Sequence, residues 1–291
     1  MNHQDSLESV RGMTVLITGA AQGMGAIFAR TAAAEGAQSL FLWDIKEELL
    51  QCTADELRQQ HPQVAIHAQV VDLSSRASIE RAAEKVRHHG GVQVLINNAG
   101  VVTGGAFTDQ EPDHIEATLA VNTLAPMYLA SHFLPGMLAS RGPGRILTIA
   151  SAAALVSNPN MSVYAASKAA VLTWSDSVRL ELERARAHQV KITSFCPTYV
   201  STGMFAGVNK MLFTPILSPE QVARKAWEAM LRGTPIVLMP WTSKLGQVLR
   251  GLLPTSLWDR LAGGPLGIYR SMDGFTGRTA AQSKARPDGR G

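Results

Sequence analysis

The chain of 291 residues contains only two cysteines and no long apolar run. Cys52 and Cys196 lie far apart in the sequence and form neither a metal-binding nor a redox motif, so we expect two reduced thiols. No apolar segment approaches the ~20 residues that a membrane-spanning helix needs. The eight histidines show no metal-ligand spacing, and we therefore expect no bound metal. Because the opening MNHQDSLESV also lacks the basic and apolar regions of a signal peptide, the sequence predicts a cytoplasmic protein.

Charged residues are scarce too, at 17% of the chain against 46% apolar residues, which is typical of a globular protein with a large core. Most of the formal net charge of +4 lies in residues 277–291, where four basic residues face one acid: Arg278, Lys284, Arg286 and Arg290 against Asp288. No aromatic residue accompanies them, so we expect a disordered basic tail rather than a nucleic-acid-binding arm. Residues 1–10 are expected to form a short N-terminal tail.

Short apolar runs alternate with helical patterns between these tails. Strands are predicted at Met13–Thr18, Ser39–Asp44, Ile66–Asp72, Val92–Ile96, Arg145–Ala150, Lys191–Phe195 and Ile236–Met239. Continuous β-branched runs separated by helices indicate a parallel sheet that is covered on both faces. The sequence therefore predicts one α/β domain over residues 11–242, a Rossmann-like doubly wound parallel sheet in a three-layer α/β/α arrangement. Ser218 and Pro219 predict the start of its last helix, which runs to about Arg232.

The glycine-rich turn Thr18–Gly25 lies between the first predicted strand and the first predicted helix. Its glycines permit positive φ and a close approach of the backbone to a ligand. They also expose the helix N-terminus, whose N–H groups and dipole favour a pyrophosphate. The residues expected to hold a dinucleotide here are Gly19, Gln22, Gly23, Met24 and Gly25.

Asp44 ends the second predicted strand, where a carboxylate can accept hydrogen bonds from both ribose hydroxyls. Its charge would repel a 2′-phosphate, and neither Trp43 nor Ile45 is an arginine that would neutralise one. We therefore expect NAD rather than NADP. Asp72, at the end of the third predicted strand, is a candidate contact to the adenine, although a structural role explains it nearly as well.

Tyr164 and Lys168 are four residues apart at the start of a long predicted helix, so they share one face. A free phenol has a pKa near ~10 and is a poor base at neutral pH. Lowering that pKa by about three units requires roughly 4 kcal/mol, which a cation at ~4 Å supplies at an effective dielectric constant of ~20. We therefore expect Lys168 to lower the pKa of Tyr164, which makes the pair a candidate acid/base centre.

Two further residues strengthen this hypothesis. Ser151 follows the fifth predicted strand at its carboxyl end, where α/β proteins bind ligands, and its hydroxyl can stabilise developing alkoxide charge. Asn122 falls in a predicted helix and can hold a water that links Lys168 to solvent. A structural mid-helix amide would explain Asn122 alone equally well.

These motifs, together with Asn97–Gly100, stand in the order and at the spacing of the short-chain dehydrogenase/reductase family. The chain resembles that family over roughly residues 10–240. The resemblance implies that Tyr164 is the general acid/base and that Lys168 also binds the nicotinamide ribose. It further implies that Ser151 orients the substrate and that Asn122 maintains a proton relay.

The resemblance also extends the set of cofactor contacts beyond the glycine turn. The additional candidates are Ile45, Leu73, Asn98, Ala99, Gly100, Pro197, Val200 and Thr202. Thr198 replaces the glycine that follows the proline in the family, so the backbone beside the nicotinamide carboxamide is expected to differ. By the same resemblance we expect a homodimer or a homotetramer.

The segment 199–217 is rich in Met, Phe and Tyr, which predicts a lid over an apolar substrate pocket. Trp43–Ile45, Thr202–Phe205 and Met239–Thr242 are similar to the retinol dehydrogenase and 17-beta-hydroxysteroid dehydrogenase-like branch, which acts on lipophilic alcohols. Residues 243–276 form a predicted helical extension with an apolar stripe: Leu245, Val248, Leu249, Leu252, Leu253, Leu257, Trp258 and Leu261. We expect this stripe to pack within the protein or a dimer rather than on a membrane surface.

The sequence thus predicts an NAD-dependent oxidoreductase that interconverts a lipophilic alcohol, steroid-like or retinol-like, with its ketone or aldehyde. Three alternatives stay open: an NADPH-dependent carbonyl reductase, a dinucleotide-binding protein without catalysis, and a membrane-surface protein. The second has no physical need for the set formed by Ser151, Tyr164 and Lys168.

Overall fold

The computed structural model describes residues 6–140 and 142–277. Its centre is a seven-stranded parallel sheet in the order β3-β2-β1-β4-β5-β6-β7. The strands are β1 Thr14–Thr18, β2 Ser39–Asp44, β3 Ala65–Val70, β4 Val94–Asn97, β5 Gly144–Ile149, β6 Val190–Pro197 and β7 Ile236–Met239. The order reverses between β1 and β4, which opens a crevice at their carboxyl ends. The predicted doubly wound parallel sheet is confirmed.

Helices cover both faces of this sheet. In chain order they are α1 Gly23–Ala34, α2 Glu47–Gln60, α3 Arg76–His88, α4 Pro112–Leu119, α5 Ala125–Ala139, α6 Ser162–Arg184, α7 Pro219–Arg232, α8 Thr242–Leu252 and α9 Thr255–Gly263. One apolar core joins α1, α2 and α7 to the sheet, and a second joins α3, α5 and α6 to the other face. The layers are therefore α/β/α, as the alternation of apolar runs and helical patterns predicts.

Most predicted boundaries agree with the structure, and the third strand is an exception. β3 ends at Val70, so Asp72 lies in the following loop instead of in the strand. There Asp72 Oδ1 accepts hydrogen bonds from the Ser74 N–H at 2.9 Å and the Ser74 hydroxyl at 2.6 Å, which closes a tight turn. The start of α7 is as predicted, because Ser218 Oγ accepts from the Gln221 N–H at 3.2 Å.

Arg145 is a buried cation at the amino end of β5. Its Nη1 donates to the Gly144 carbonyl at 2.9 Å, and its Nη2 donates to the Leu231 carbonyl at 3.3 Å. Leu231 lies in the last turn of α7, whose carbonyls have no partners within the helix. The guanidinium therefore ties α7 to the sheet at the edge opposite to the crevice.

The predicted helical extension forms α8 and α9, but its apolar stripe is divided. Trp258 on α9 is buried, whereas α8 contains no buried residue. Within the described part of the chain, no helix is both long and apolar enough to cross a bilayer. Both cysteines are free thiols, as expected. Residues 278–291 of the predicted basic tail and residues 1–5 of the predicted N-terminal tail fall outside the described residues.

Candidate active site

The glycine turn lies at the carboxyl end of β1, directly at the crevice. Gly19 has φ +67°, and a Cβ added there would lie 3.0 Å from the Ala99 Cα, so only glycine fits without a shift. A Cβ on Gly25 would collide with the Gly19 carbonyl oxygen. α1 begins at Gly23, and Gln22 makes no side-chain cap there. The first N–H groups of α1 are therefore available to an anion.

Asn98 holds this turn in place from the neighbouring strand end. Its Nδ2 donates to the Thr18 carbonyl at 2.9 Å and to the Gly19 carbonyl at 3.2 Å. In return the Thr18 hydroxyl accepts from the N–H groups of Asn98 and Ala99, both at 3.1 Å. β1 and β4 are adjacent, so these four hydrogen bonds lock the two loops that form the crevice. Thr18 belongs to the predicted turn, but its hydroxyl was missed as a positioning group.

Asp44 stands at the end of β2 beside the turn. Its Oδ2 accepts from the Ala21 N–H and its Oδ1 from the Lys46 N–H, both at 3.0 Å. These bonds fix the carboxylate at the rim of the cleft, and each oxygen keeps a lone pair for a ribose hydroxyl. Lys46 lines the same cleft. The sequence-based expectation of NAD considered only Trp43 and Ile45 as positions for a cation that would neutralise a 2′-phosphate. It missed Lys46, one position further.

The cleft has a volume of about 200 Å³. The predicted cofactor residues that line it are Gly19, Gln22, Gly23, Met24, Asp44, Ile45, Asp72, Leu73, Asn98, Ala99, Gly100 and Thr202. Gly25 lies beneath the turn, while Val200 packs in the core and pairs with Leu217. Pro197 is the last residue of β6 and is not part of the lining. The glycine cradle, the uncapped helix and the carboxylate on β2 together fit a dinucleotide.

Tyr164 lies in the first turn of α6 and is almost fully buried, as is Lys168 one turn later. Burial raises the pKa of Tyr164 to about 12, and a hydrogen bond with the Ser151 side chain opposes this only in part. Burial also lowers the pKa of Lys168 to about 8. The Lys168 ammonium donates to the Ile149 carbonyl at 2.8 Å and lies 5.8 Å from the centre of the Tyr164 ring.

The expectation that Lys168 lowers the pKa of Tyr164 is therefore wrong for this arrangement. Helix spacing brings the two side chains to one face, as predicted. Burial of the phenol outweighs the attraction of the cation, because Lys168 Nζ is directed at a backbone carbonyl. A phenolate at neutral pH consequently requires more positive charge beside Tyr164 than Lys168 provides in this position.

Ser151 follows β5 and begins the short 3₁₀ turn Ala152–Ala154. Its Oγ accepts from the Ala153 N–H at 3.1 Å. The Ser151 hydroxyl proton stays available for donation, and Tyr164 is one hydrogen-bond partner of this hydroxyl. Ser151 also lines the neighbouring pocket, so its hydroxyl faces both Tyr164 and the space for a substrate.

Asn122 occupies a π-helical turn, Ala120–Leu124, between α4 and α5. Its Oδ1 accepts from the Val101 N–H and its Nδ2 donates to the Val101 carbonyl, both at 2.9 Å. The same Nδ2 donates to Ser167 Oγ at 3.0 Å. The amide thus joins the loop after β4 to the helix that carries Tyr164 and Lys168.

An apolar pocket of about 90 Å³ lies against Ser151. Phe205, from the segment predicted to be a lid, packs edge-on to Tyr164 and to Tyr199, with ring centres 5.7 and 5.1 Å apart. Met161 and Met272 complete an apolar cluster around the Tyr164 phenol. The cluster keeps water from the phenol, and it makes the pocket suited to a lipophilic ligand.

The C-terminal segment 271–276 packs on the apolar cluster and on the segment predicted to be a lid. The Thr276 N–H donates to the Ala206 carbonyl at 3.0 Å, and the Asn209 N–H donates to the Ser271 carbonyl at 2.8 Å. Asn158 Nδ2 donates to Tyr199 Oη at 3.1 Å and to Ser271 Oγ at 2.8 Å. Sequence reasoning missed Asn158 and the contacts of this part of the predicted extension, because no short-range pattern reports contacts between residues so far apart in the chain.

The described residues contain no group of three or more His, Cys, Asp or Glu side chains that could hold a metal ion. The site contains a glycine-rimmed cleft, a serine that lines an apolar pocket, a buried phenol and a buried amine.

Comparisons with known proteins agree with this geometry. Residues 13–212 match the family of short chain dehydrogenases. The chain is 35% identical to epidermal retinol dehydrogenase 2 of Mus musculus over 274 residues, which cover 93% of this chain and 87% of that protein. It is 37% identical to estradiol 17-beta-dehydrogenase 11 of Pongo abelii over 249 residues, with coverage of 85% and 81%.

Solved structures give the same result. A short-chain dehydrogenase/reductase from Burkholderia phymatum in complex with NAD superposes with a TM-score of 0.75 at 26% identity, covering 84% of this chain and 94% of that one. A short-chain dehydrogenase from Sphingobium yanoikuyae in complex with NADPH gives a TM-score of 0.71 at 27% identity, with coverage of 84% and 97%. The relatives at this level of likeness thus include binders of either nicotinamide cofactor.

Proposed function

The chain belongs to the short-chain dehydrogenase family, and we propose that it interconverts a lipophilic alcohol with its ketone or aldehyde, using NAD. The observation that carries this proposal is the Tyr164 phenol, which is buried in an apolar cluster and hydrogen-bonded to Ser151 at the head of an apolar pocket. Retinol and estradiol dehydrogenases among the relatives support a lipophilic substrate.

The glycine turn and Asp44 would hold NAD, which would supply the hydride acceptor for oxidation and, as NADH, the hydride donor for reduction. Ser151 holds the substrate oxygen by a hydrogen bond and stabilises negative charge that develops on it. Tyr164 Oη takes the proton from the alcohol, or returns it to the carbonyl. The Lys168 ammonium favours the phenolate once its Nζ turns from the Ile149 carbonyl towards Tyr164. Phe205 and Met272 exclude water from this exchange.

The experiment is a panel of retinoids, steroids and simple aryl and aliphatic alcohols incubated with NAD, with nicotinamide absorbance as the readout. We expect turnover of at least one lipophilic member, with kcat/KM rising with its apolar area. Tight NAD binding without turnover of any panel member, in either direction, would instead identify a dinucleotide-binding protein without catalysis.

The choice of NAD rests on Asp44, whose carboxylate is fixed at the cleft rim and repels a 2′-phosphate. Loss of its hydrogen bonds in Asp44→Ala is expected to lower kcat/KM with NAD by roughly tenfold or more. A second candidate, NADPH-linked carbonyl reduction, is favoured by Lys46, which lines the same cleft. It predicts that wild type prefers NADPH and that Lys46→Ala removes that preference.

A further inference from the structure

The outward face of α8 is apolar. Trp241, Leu245, Val248 and Leu252 recur at intervals of four, three and four residues, which places them on one side of the helix. Trp241 is 73% exposed and Leu252 is 76% exposed. Among the described residues these side chains find only partial cover, so much of their apolar surface contacts water.

The loop 211–216 lies beside the start of α8 and extends this surface. Thr242 Oγ1 donates to the Phe213 carbonyl at 2.9 Å, which ties the loop to the helix. Phe213 is 72% exposed, and Leu212 and Ile216 are exposed as well. We call these residues together the apolar platform: Trp241, Leu245, Val248 and Leu252 of α8, with Leu212, Phe213 and Ile216 of the loop.

The apolar platform adjoins the substrate pocket. Met211 and Thr214 line the pocket and flank Leu212 and Phe213 in the loop. Ser243 also lines it, from the first turn of α8. Pocket-lining and outward-facing side chains thus alternate along the same two segments, so a ligand that leaves the pocket there meets the platform.

Basic residues, but no acids, accompany the platform in the sequence. Segments 200–219 and 233–258 contain no Asp or Glu, and their only charged residues are Lys210, Lys244 and Arg250. The next acid along the chain, Asp259, accepts a hydrogen bond from Tyr269 Oη at 2.6 Å. An apolar helix face with a terminal Trp and flanking cations is the pattern of a helix that lies in the interface of an anionic bilayer.

We propose that the apolar platform docks the protein on the surface of an anionic phospholipid bilayer, with Trp241 and Phe213 inserted at the headgroup level and Lys210 and Lys244 against the phosphates. A second copy of the chain fits the surface less well. A two-fold interface through the platform would bring the cations of the two copies towards each other and would cover the mouth of the pocket.

Docking would place the pocket against the bilayer, in which a lipophilic alcohol dissolves. Such a substrate would pass from the bilayer past Phe213 into the pocket without crossing water. This consequence rests on the proposed function, whereas docking itself does not, and vesicle binding can be measured with no substrate present.

The experiment measures sedimentation of the full chain with vesicles of phosphatidylcholine, with and without phosphatidylserine. The platform variant is Val248→Asp/Leu252→Asp, whose positions are exposed and lie outside the pocket lining. The matched control, with the same change in charge, is Leu49→Asp/Leu180→Asp, at exposed positions of α2 and α6. All three proteins keep residues 278–291 unchanged, so the basic residues there contribute equally to each. The oligomeric state of each protein is measured in parallel.

We expect the wild type and the control to sediment with phosphatidylserine vesicles. The platform variant should bind these vesicles with an affinity that is lower by roughly tenfold or more. High salt should reduce wild-type binding, because it screens the cations. Absence of wild-type binding would overturn the proposal, and so would equal binding of the platform variant. Equal binding to phosphatidylcholine alone would overturn the assignment to an anionic surface. A wild-type dimer that the platform variant dissociates, without vesicle binding, would assign the platform to a second copy instead.

Discussion

The Phe205 ring packs edge-on against the Tyr164 ring, with the two centres 5.7 Å apart. Phe205 belongs to the segment that follows β6, whereas Tyr164 lies in α6, so this contact joins the lid segment to the proposed proton-transfer group. Burial, to which Phe205 contributes, raises the pKa of Tyr164 to about 12. The chemistry of the phenol therefore depends on a residue that also shapes the substrate pocket.

Phe205→Ala is expected to shift the pH dependence of alcohol oxidation to lower pH. The substitution admits water to Tyr164, so the pKa of the phenol falls towards its ordinary value of ~10. Oxidation requires the deprotonated phenol, and its rate should therefore rise earlier as the pH increases. The measurement is kcat/KM against pH, with Phe205→Leu as the control that keeps an apolar cover. Identical profiles for Phe205→Ala and wild type would contradict this role.

Lys168→Met is expected to change how stability depends on pH. Burial lowers the pKa of Lys168 from 10.5 to about 8, so between these values the unfolded chain holds a proton that the folded protein has released. Wild-type stability therefore gains about 3 kcal/mol from this residue as the pH rises from about 8 to about 10.5. The variant lacks this pH-dependent gain. Loss of the hydrogen bond to Ile149 lowers its free energy of unfolding as well, but does not restore the gain.

Chemical denaturation of both proteins across this range measures the effect. The free energy of unfolding of the Lys168→Met variant, relative to wild type, should decline through the window. A constant difference from about pH 8 to about pH 10.5 would mean that Lys168 has an ordinary pKa.

Asn98→Ala is expected to weaken cofactor binding, although it removes no group that pairs with the charges of the cofactor. The substitution removes the amide that donates to the carbonyls of Thr18 and Gly19, and the glycine turn can then relax. We expect the Kd for NAD to rise about tenfold and the free energy of unfolding to fall by about 1 kcal/mol. Asn209→Ala, which removes an exposed hydrogen bond to Arg270, is the control and should leave the Kd unchanged.

Arg145→Met is expected to cost stability and to spare the active site. The buried guanidinium donates to carbonyls at the ends of β5 and α7, and its loss removes these hydrogen bonds, although the Leu231 carbonyl still accepts one from the Leu7 N–H at 2.9 Å. We expect about 3 kcal/mol of destabilisation, with the Kd for NAD unchanged. The exposed pair of Arg30 and Glu56 provides the comparison, because Arg30→Met should cost less than about 1 kcal/mol. A comparable loss in both variants would refute the buried role of Arg145.

Periodicity and turn chemistry account for most of the predicted fold. Continuous apolar runs mark six of the strands closely, since a strand buried on both faces has no polar alternation to blur its limits. The predicted third strand runs too far because Val71 continues the apolar run up to Asp72, whereas hydrogen bonds from Ser74 hold the Asp72 carboxylate in a turn. Helix spacing correctly brings Tyr164 and Lys168 to one face.

What the sequence does not predict depends on contacts between distant segments. The direction of Lys168 Nζ depends on Ile149, and the burial of Tyr164 depends on Phe205 and Met272. The apolar stripe of 243–276 has a helical period, but periodicity alone does not say which residues find a partner. Trp258 finds one, whereas Leu252 remains exposed.

The comparison of wild type with Tyr164→Phe tests the central claim most directly. Both proteins are assayed with NAD and the best alcohol of the panel, and NAD binding is measured separately. Loss of the hydroxyl removes the proposed acid/base, so we expect kcat to fall by ~10²–10⁴-fold while the Kd for NAD stays within about twofold. Turnover of the Tyr164→Phe variant at a rate close to that of wild type would contradict the assignment of Tyr164 as the proton-transfer residue.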